Sequence, residues 1–297
     1  MVNNPSIKTT LSSAAALLNT EEATLEAQLL LQHALNVNRA WLIAHEYDAL
    51  QPNAPGHPLS NSPSEFDSPC IHAVFEAKLR RRLNGEPIAY ILGYREFYGL
   101  KLKVTPDTLI PRPDTETLVD AALAKISQDQ PYQILDLGTG TGAIALAVAH
   151  NRPQTFVTAV DASVGALKIA KENAQNLNIT NIKFVQSDWF GALQNEKFDL
   201  IVTNPPYIEQ NDVHLTQGDL RHEPITALAS GHDGLDDIRQ IIVHAPQHLN
   251  PHGWLMLEHG YNQAESVATL LKQAGFTEVG HALDLAGIQR VTLGRLI

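Results

Sequence analysis

Asn204-Pro205-Pro206-Tyr207 closes the apolar run Phe198-Asp199-Leu200-Ile201-Val202-Thr203, and its residue types suit one chemical problem. The nitrogen of an amide or a ring amino group is a poor nucleophile. The side-chain oxygen of Asn204 and the carbonyl of Pro205 can both accept hydrogen bonds from one planar NH2 group. Holding both hydrogens out of the plane frees the nitrogen lone pair to attack. A proline ring fixes the backbone and cannot donate a hydrogen bond of its own. Pro206 extends that rigidity, and the Tyr207 ring can lie against a flat substrate. These four residues are therefore the candidate substrate-binding set, with Asn204, Pro205 and Tyr207 the candidate catalytic residues. An isolated tetrapeptide of this kind could equally be a tight turn, so the argument needs a second feature.

Asp136-Leu137-Gly138-Thr139-Gly140-Thr141-Gly142 supplies it. The run lies between an apolar strand pattern and a helix with Ile144, Leu146 and Ala147 on its apolar positions. Glycines there let a ligand approach the backbone, beside the unpaired amides of a helix N-terminus. The spacing differs from the dinucleotide fingerprint. Asp136, ahead of the first glycine, would repel a pyrophosphate but could favour an ammonium group, which points to S-adenosyl-L-methionine over NAD. Gly138, Thr139, Gly140, Thr141 and Gly142 form the expected cofactor loop. Asp161 ends the next strand, where a carboxylate can accept both ribose hydroxyls or can cap the helix starting near Ser163. After the third strand, Asp188 could bond the adenine amino group and Trp189 could cover its face. Asn204 is expected to border the cofactor as well as the substrate. No metal is assigned, and none of the 13 histidines is given a catalytic role. His259 reads as a satisfied structural histidine.

Those residues need a scaffold. Helical spacing of Leu25, Leu29, Leu30, Ala34 and Leu35, and of Ile71, Val74, Phe75, Leu79 and Leu83, makes 7–85 helical. Gln51 to Pro69 interrupts it with five prolines, at 52, 55, 58, 63 and 69, and reads as a loop. Tyr94 to Tyr98 and Leu100 to Val104 flank Gly99 and predict a short hairpin. Beyond residue 117, strands at 132–137, 156–161, 182–187, 198–203, 253–258 and 288–294, with a weaker one at 277–282, alternate with helices at 115–127, 142–150, 163–176, 235–248 and 261–274. This alternation predicts an α/β fold, a parallel sheet with helices on both faces. The expected division is a helical domain at 1–87, a hairpin linker at 88–114 and a catalytic domain at 115–297. Every candidate site residue then falls at the carboxyl end of a strand, where such sheets bind ligands.

Composition narrows the function classes. The chain has 297 residues, 44% hydrophobic and 18% charged, ordinary for a globular protein able to bury a substantial core. Its net charge of -11 argues against stable binding of nucleic acid through phosphates. The one dense basic run, Lys78 to Arg82, reads as a solvated helix face rather than a docking patch. The single cysteine, Cys70, excludes an internal disulfide and fits a reducing compartment. No signal peptide pattern and no apolar run near the ~18 residues of a membrane span are present, so the expectation is a cytoplasmic protein that avoids membranes.

With these residues assembled, the chain resembles the bacterial peptide chain release factor N5-glutamine methyltransferases (the HemK/PrmC family). The likeness includes Gly85-Glu86-Pro87-Ile88-Ala89-Tyr90, Arg95-Glu96-Phe97-Tyr98-Gly99-Leu100, Pro111-Arg112-Pro113-Asp114-Thr115-Glu116, the glycine run, Gln186-Ser187-Asp188-Trp189-Phe190 and Asn204 to Tyr207. It continues through Glu223-Pro224, Ala227-Leu228, Asp233-Gly234-Leu235 and Leu257-Glu258-His259-Gly260. The resemblance implies a Rossmann-like class I S-adenosylmethionine-dependent methyltransferase sheet with a small N-terminal helical domain that helps to hold the substrate. It implies methylation of the glutamine side-chain amide in the Gly-Gly-Gln motif of class 1 release factors, with S-adenosyl-L-homocysteine as product. Those release factors are the expected partners, and the chain is expected to be a monomer outside the substrate complex. The 51–69 stretch is longer than the resemblance leads one to expect. Alternatives with related chemistry are a glutamine methyltransferase of a ribosomal protein and a DNA adenine amino methyltransferase; the charge balance disfavours the latter. A module that binds the cofactor without catalysis is disfavoured by the intact tetrapeptide.

Overall fold

The structure, a computed structural model, describes residues 4–50 and 71–297. The expected loop at 51–69 lies outside the described residues. The chain divides into two compact units, Met1–Leu92 and Gly93–Ile297. Among the described residues no helix is long and apolar enough to cross a membrane.

In the described residues the first unit is built of helices: α1 (Ile7–Leu18), α2 (Ala23–Leu35), α3 (Arg39–Ala44), α4 (Ile71–Leu83) and α5 (Ile88–Leu92). Ser6 and Asn38 start α1 and α3 by accepting from Thr9 N and Trp41 N, satisfying amides that a first helical turn leaves unpaired. Asn19 and Asn36 end α1 and α2 in left-handed backbone. Ile71, Phe75 and Leu79 recur every fourth residue on one face of α4, which buries them against Ile7, Ala14, Leu30, Leu31 and Leu35. The basic run on α4 does not behave as one solvated face. Arg80 pairs with Glu76 and Arg81 with Glu86 at the surface. Arg82 turns inward, where its Nη2 and Nε lie 2.7 and 3.0 Å from the two carboxylate oxygens of Glu26.

The second unit opens with the hairpin β1 (Tyr94–Phe97) and β2 (Leu100–Lys103). It continues through α6 (Glu116–Lys125), β3 (Gln133–Leu137), α7 (Ala143–Asn151), β4 (Phe156–Asp161), α8 (Val164–Asn176), β5 (Ile182–Gln186), β6 (Phe198–Thr203), α9 (Asp236–His244), β7 (Leu249–Glu258), α10 (Ala264–Gln273), β8 (Thr277–Leu283) and β9 (Gln289–Arg295). The hairpin is tied to α8 by Asn173, whose Oδ1 accepts from Lys103 N at 2.7 Å and whose Nδ2 donates to Lys103 O at 3.1 Å.

The seven-stranded sheet runs β5-β4-β3-β6-β7-β9-β8. Its first five strands pair in parallel, but β9 is antiparallel to both β7 and β8. The expected parallel sheet thus carries an antiparallel edge. A parallel crossover needs a dozen or more residues, and only 284–288 separate β8 from β9, so the chain can return only as a hairpin. Alternation along the strands feeds two cores. Ile134, Leu200, Val202 and Met256 face the α6 and α7 side, while Leu135, Leu137, Ile201, Leu255 and Leu257 face α9 and α10. The carboxyl ends of β3 to β7 consequently share one edge, and the loops leaving it carry the polar residues described next.

Candidate functional site

The glycine loop leaves β3 in left-handed backbone at Gly138, Gly140 and Gly142, with φ of 70°, 55° and 84°. At Gly140 a Cβ would project into open space, so the bare backbone is what a ligand would meet. Asp136 stands beneath this loop with none of its surface exposed. Its Oδ2 accepts from Thr139 Oγ1 at 2.6 Å and from Ala145 N at 3.2 Å in the first turn of α7. Burial pushes its pKa up to about 7, against the pull of those two hydrogen bonds. Asp136 therefore holds the loop and the helix start together from below.

Asp161 ends β4 and reaches sideways to the same loop. Its Oδ2 accepts from Gly140 N at 2.8 Å and its Oδ1 from Ser163 N at 2.9 Å. Ser163, not Asp161, caps α8, accepting from Ala166 N. Burial raises the Asp161 pKa above the ordinary aspartate value, with the two backbone amides opposing it. Beyond β5, Trp189 adopts left-handed backbone, φ 43°, and lies over Gly138. Its Nε1 donates to Asp237 Oδ1 at 3.2 Å, and its carbonyl accepts from Ser187 Oγ at 2.7 Å.

Gly138, Gly140, Asp161, Asp188, Trp189, Asn204 and Pro206 together line a cavity of about 290 Å3. Thr139 and Thr141 are buried behind it, and Gly142 caps α7. Sequence reasoning missed Asp107, Leu109, Thr226 and Asp237, which complete the wall from distant segments. Asp107, Asp161, Asp188 and Asp237 line it, and among the described residues no Lys or Arg does. That donor set suits a ligand carrying sulfonium and ammonium charge and would oppose a pyrophosphate. S-adenosyl-L-methionine fits it: the open backbone at Gly140 would admit the ligand, beside the carboxylates of the lining.

Asn204 follows β6, whose end is fixed by Thr203 Oγ1 donating to Leu137 O at 2.8 Å. Asn204 lines the large cavity and also a neighbouring one of about 70 Å3, shared with Leu109, Arg112, Pro205, Tyr207 and Leu220. Since about 10–15 Å3 suffices for one water, this chamber has room for a group of carboxamide size. The side chain of Asn204 is tethered through Nδ2 to Thr115 Oγ1 at 3.1 Å. Tyr207 points its hydroxyl at Glu258 Oε1, 3.3 Å away, and its carbonyl accepts from Gln263 Nε2 at 3.0 Å. Burial first, then the Glu258 charge, holds the Tyr207 pKa well above the usual phenol range. Glu258 is itself raised to about 7 by burial, with the Thr115 and Tyr207 hydroxyls drawing it back. Arg112 is held by Glu223, which also accepts from Ile110 N at 2.9 Å. His259 spends both ring nitrogens internally, on Gly260 O at 2.9 Å and Thr292 Oγ1 at 2.7 Å.

Comparison with known proteins identifies the family. Residues 115–220 match the family model described as the methyltransferase small domain, and residues 9–55 match the PrmC N-terminal domain. The release factor glutamine methyltransferase of Xylella fastidiosa (strain Temecula1) is 46% identical over 270 residues, covering 91% of this chain and 92% of that protein. The protein of that name from Coxiella burnetii is 44% identical over 292 residues, covering 98% and 99%. Among solved structures, a methyltransferase from Pyrococcus furiosus aligns with a TM-score of 0.52 at 17% identity, covering 74% of this chain and 98% of that one, which supports the fold. The chain belongs to the release factor glutamine methyltransferase family.

Proposed function

We propose that the protein methylates the side-chain amide nitrogen of the glutamine in the Gly-Gly-Gln motif of class 1 peptide chain release factors, in support of translation termination. The observation that carries this reading is Asn204, which lines both the acidic, glycine-floored cavity and the carboxamide-sized chamber. A flat amide in the small chamber lies beside whatever occupies the large one. The names of the relatives supply the substrate class.

S-adenosyl-L-methionine, when bound, supplies an electrophilic methyl group and leaves as S-adenosyl-L-homocysteine. Gly138, Gly140, Asp161, Asp188 and Trp189 would hold it. Asn204 and the Pro205 carbonyl accept from the glutamine NH2 and turn its lone pair out of conjugation, while Tyr207 packs on its plane. The nitrogen–carbon bond forms as the sulfur–carbon bond breaks, and the methylated nitrogen releases its proton to water. Positioning and fixed dipoles supply most of the rate. The net charge of -11 is suited to a protein partner rather than to the phosphates of a nucleic acid.

The test is mass spectrometry of release factor after incubation with the protein and S-adenosyl-L-methionine. The expected result is the mass gain of one methylene on the glutamine of the Gly-Gly-Gln tripeptide. Modification of a ribosomal protein or of adenine in DNA, with release factor untouched, would replace this reading.

A further inference from the structure

The orientation of a side-chain amide decides whether it offers an oxygen or an NH2 to a substrate, and at Asn204 a hydroxyl outside the motif engages one end of that amide. Thr115 comes from the short turn Pro113–Thr115 ahead of α6 and is 4% exposed. Its hydroxyl oxygen accepts from Asn204 Nδ2 at 3.1 Å. An amide nitrogen held on one side leaves the amide oxygen for the other, and Asn204 lines the small chamber.

We infer that Thr115 is a positioning residue for methyl transfer: its hydroxyl fixes the Asn204 amide with the amide oxygen towards the small chamber, and the glutamine NH2 thereby meets an acceptor. This rests on the proposed function and deepens it. Without the tether the Asn204 amide rotates freely and presents its NH2 for part of the time, a donor facing a donor.

The experiment compares Thr115→Val, which keeps the shape and loses the hydroxyl, with Thr115→Ser, which keeps the hydroxyl. Thr115→Val lowers kcat by about tenfold or more, in line with the loss of a polar positioning group. Its KM for release factor and Kd for S-adenosyl-L-methionine stay within a few fold, and Thr115→Ser restores most of the rate. A readout that needs no turnover is hydrogen exchange at the Asn204 side-chain amide, in protein labelled with 15N at asparagine and assigned through Asn204→Asp. The amide is protected in the wild type and in Thr115→Ser, and exchanges freely in Thr115→Val. Wild-type kcat in Thr115→Val overturns the inference, as does equal loss in both variants or unchanged Asn204 protection. Those failures occur with wild-type protein still methylating release factor, whereas failure of the proposed function appears as no glutamine methylation by the wild type.

Discussion

The indole N–H of Trp189 is anchored 3.2 Å from the Asp237 carboxylate, joining the loop after β5 to the first turn of α9 across 48 residues of sequence. Trp189 holds a left-handed backbone that a bulky residue adopts only under constraint. The anchor fixes the ring over Gly138, where it forms one wall of the large cavity. Asp237→Ala releases the ring and removes one of the lining carboxylates. Calorimetry should show S-adenosyl-L-methionine binding weakened by about tenfold, the size of one lost charge-assisted hydrogen bond, with the melting temperature little changed.

Asn204→Ala separates binding from chemistry. The cofactor cavity keeps its glycine floor and Asp161, so Kd should stay within a few fold. Turnover on release factor should fall by roughly 100-fold or more, as for other lost polar positioning groups. Single-turnover kinetics at saturating substrates reads this directly, and an unchanged rate would remove Asn204 from the mechanism.

Gly234 answers to a steric demand. With φ at 73°, an added Cβ would stand 2.3 Å from the carbonyl oxygen of Tyr207. Gly234→Ala should force the Tyr207 backbone away and break its bond from Gln263. The cost is at least about 1–3 kcal/mol of strain, visible in urea denaturation, together with loss of activity. Full activity and stability in this variant would contradict the close approach.

Asp136 gives the stability a pH dependence of known sign. Its pKa in the folded state is raised to about 7 from the ordinary 3.8. The folded chain therefore binds a proton that the unfolded chain has already lost, so this contribution is full below about pH 4 and fades as pH rises to 7. Urea midpoints between pH 4.5 and 8 should fall with rising pH more steeply for the wild type than for Asp136→Asn. Parallel curves would refute the assignment.

In the first unit, the ion pair between Glu26 and Arg82 is nearly enclosed, with side chains 9% and 12% exposed. Removing one partner breaks both hydrogen bonds between them. Glu26→Ala should cost about 3–5 kcal/mol, whereas replacing both partners by apolar residues of similar size should cost far less. Chemical denaturation of the single and double variants distinguishes the two.

What the sequence revealed, and what it concealed, follows from the range of the interactions concerned. The five parallel strands were visible because each is a short apolar run closed by glycine, aspartate or proline, signals that act within a few residues. β7 starts at Leu249 rather than 253, since a shift in its pairing with β6 between Phe198 and Leu200 accommodates Pro251 and the positive φ of His252. The helix expected at 235–248 stops at His244, where Pro246 converts the remainder into a tighter turn. That Asn204, Asp161 and Trp189 would gather at one edge of the sheet was legible from their places after strands, and they line one cavity. Asp237, and the pairing of Arg112 with Glu223 across 111 residues, were not, because only the folded chain brings those segments together.

Two chambers that share Asn204 as a common wall also constrain the order of events in time. On the proposed function donor and acceptor each have their own seat, and no side chain of this chain need carry the methyl group between them. Initial-rate plots for the two substrates should therefore intersect rather than run parallel, the signature of a ternary complex formed before any product departs.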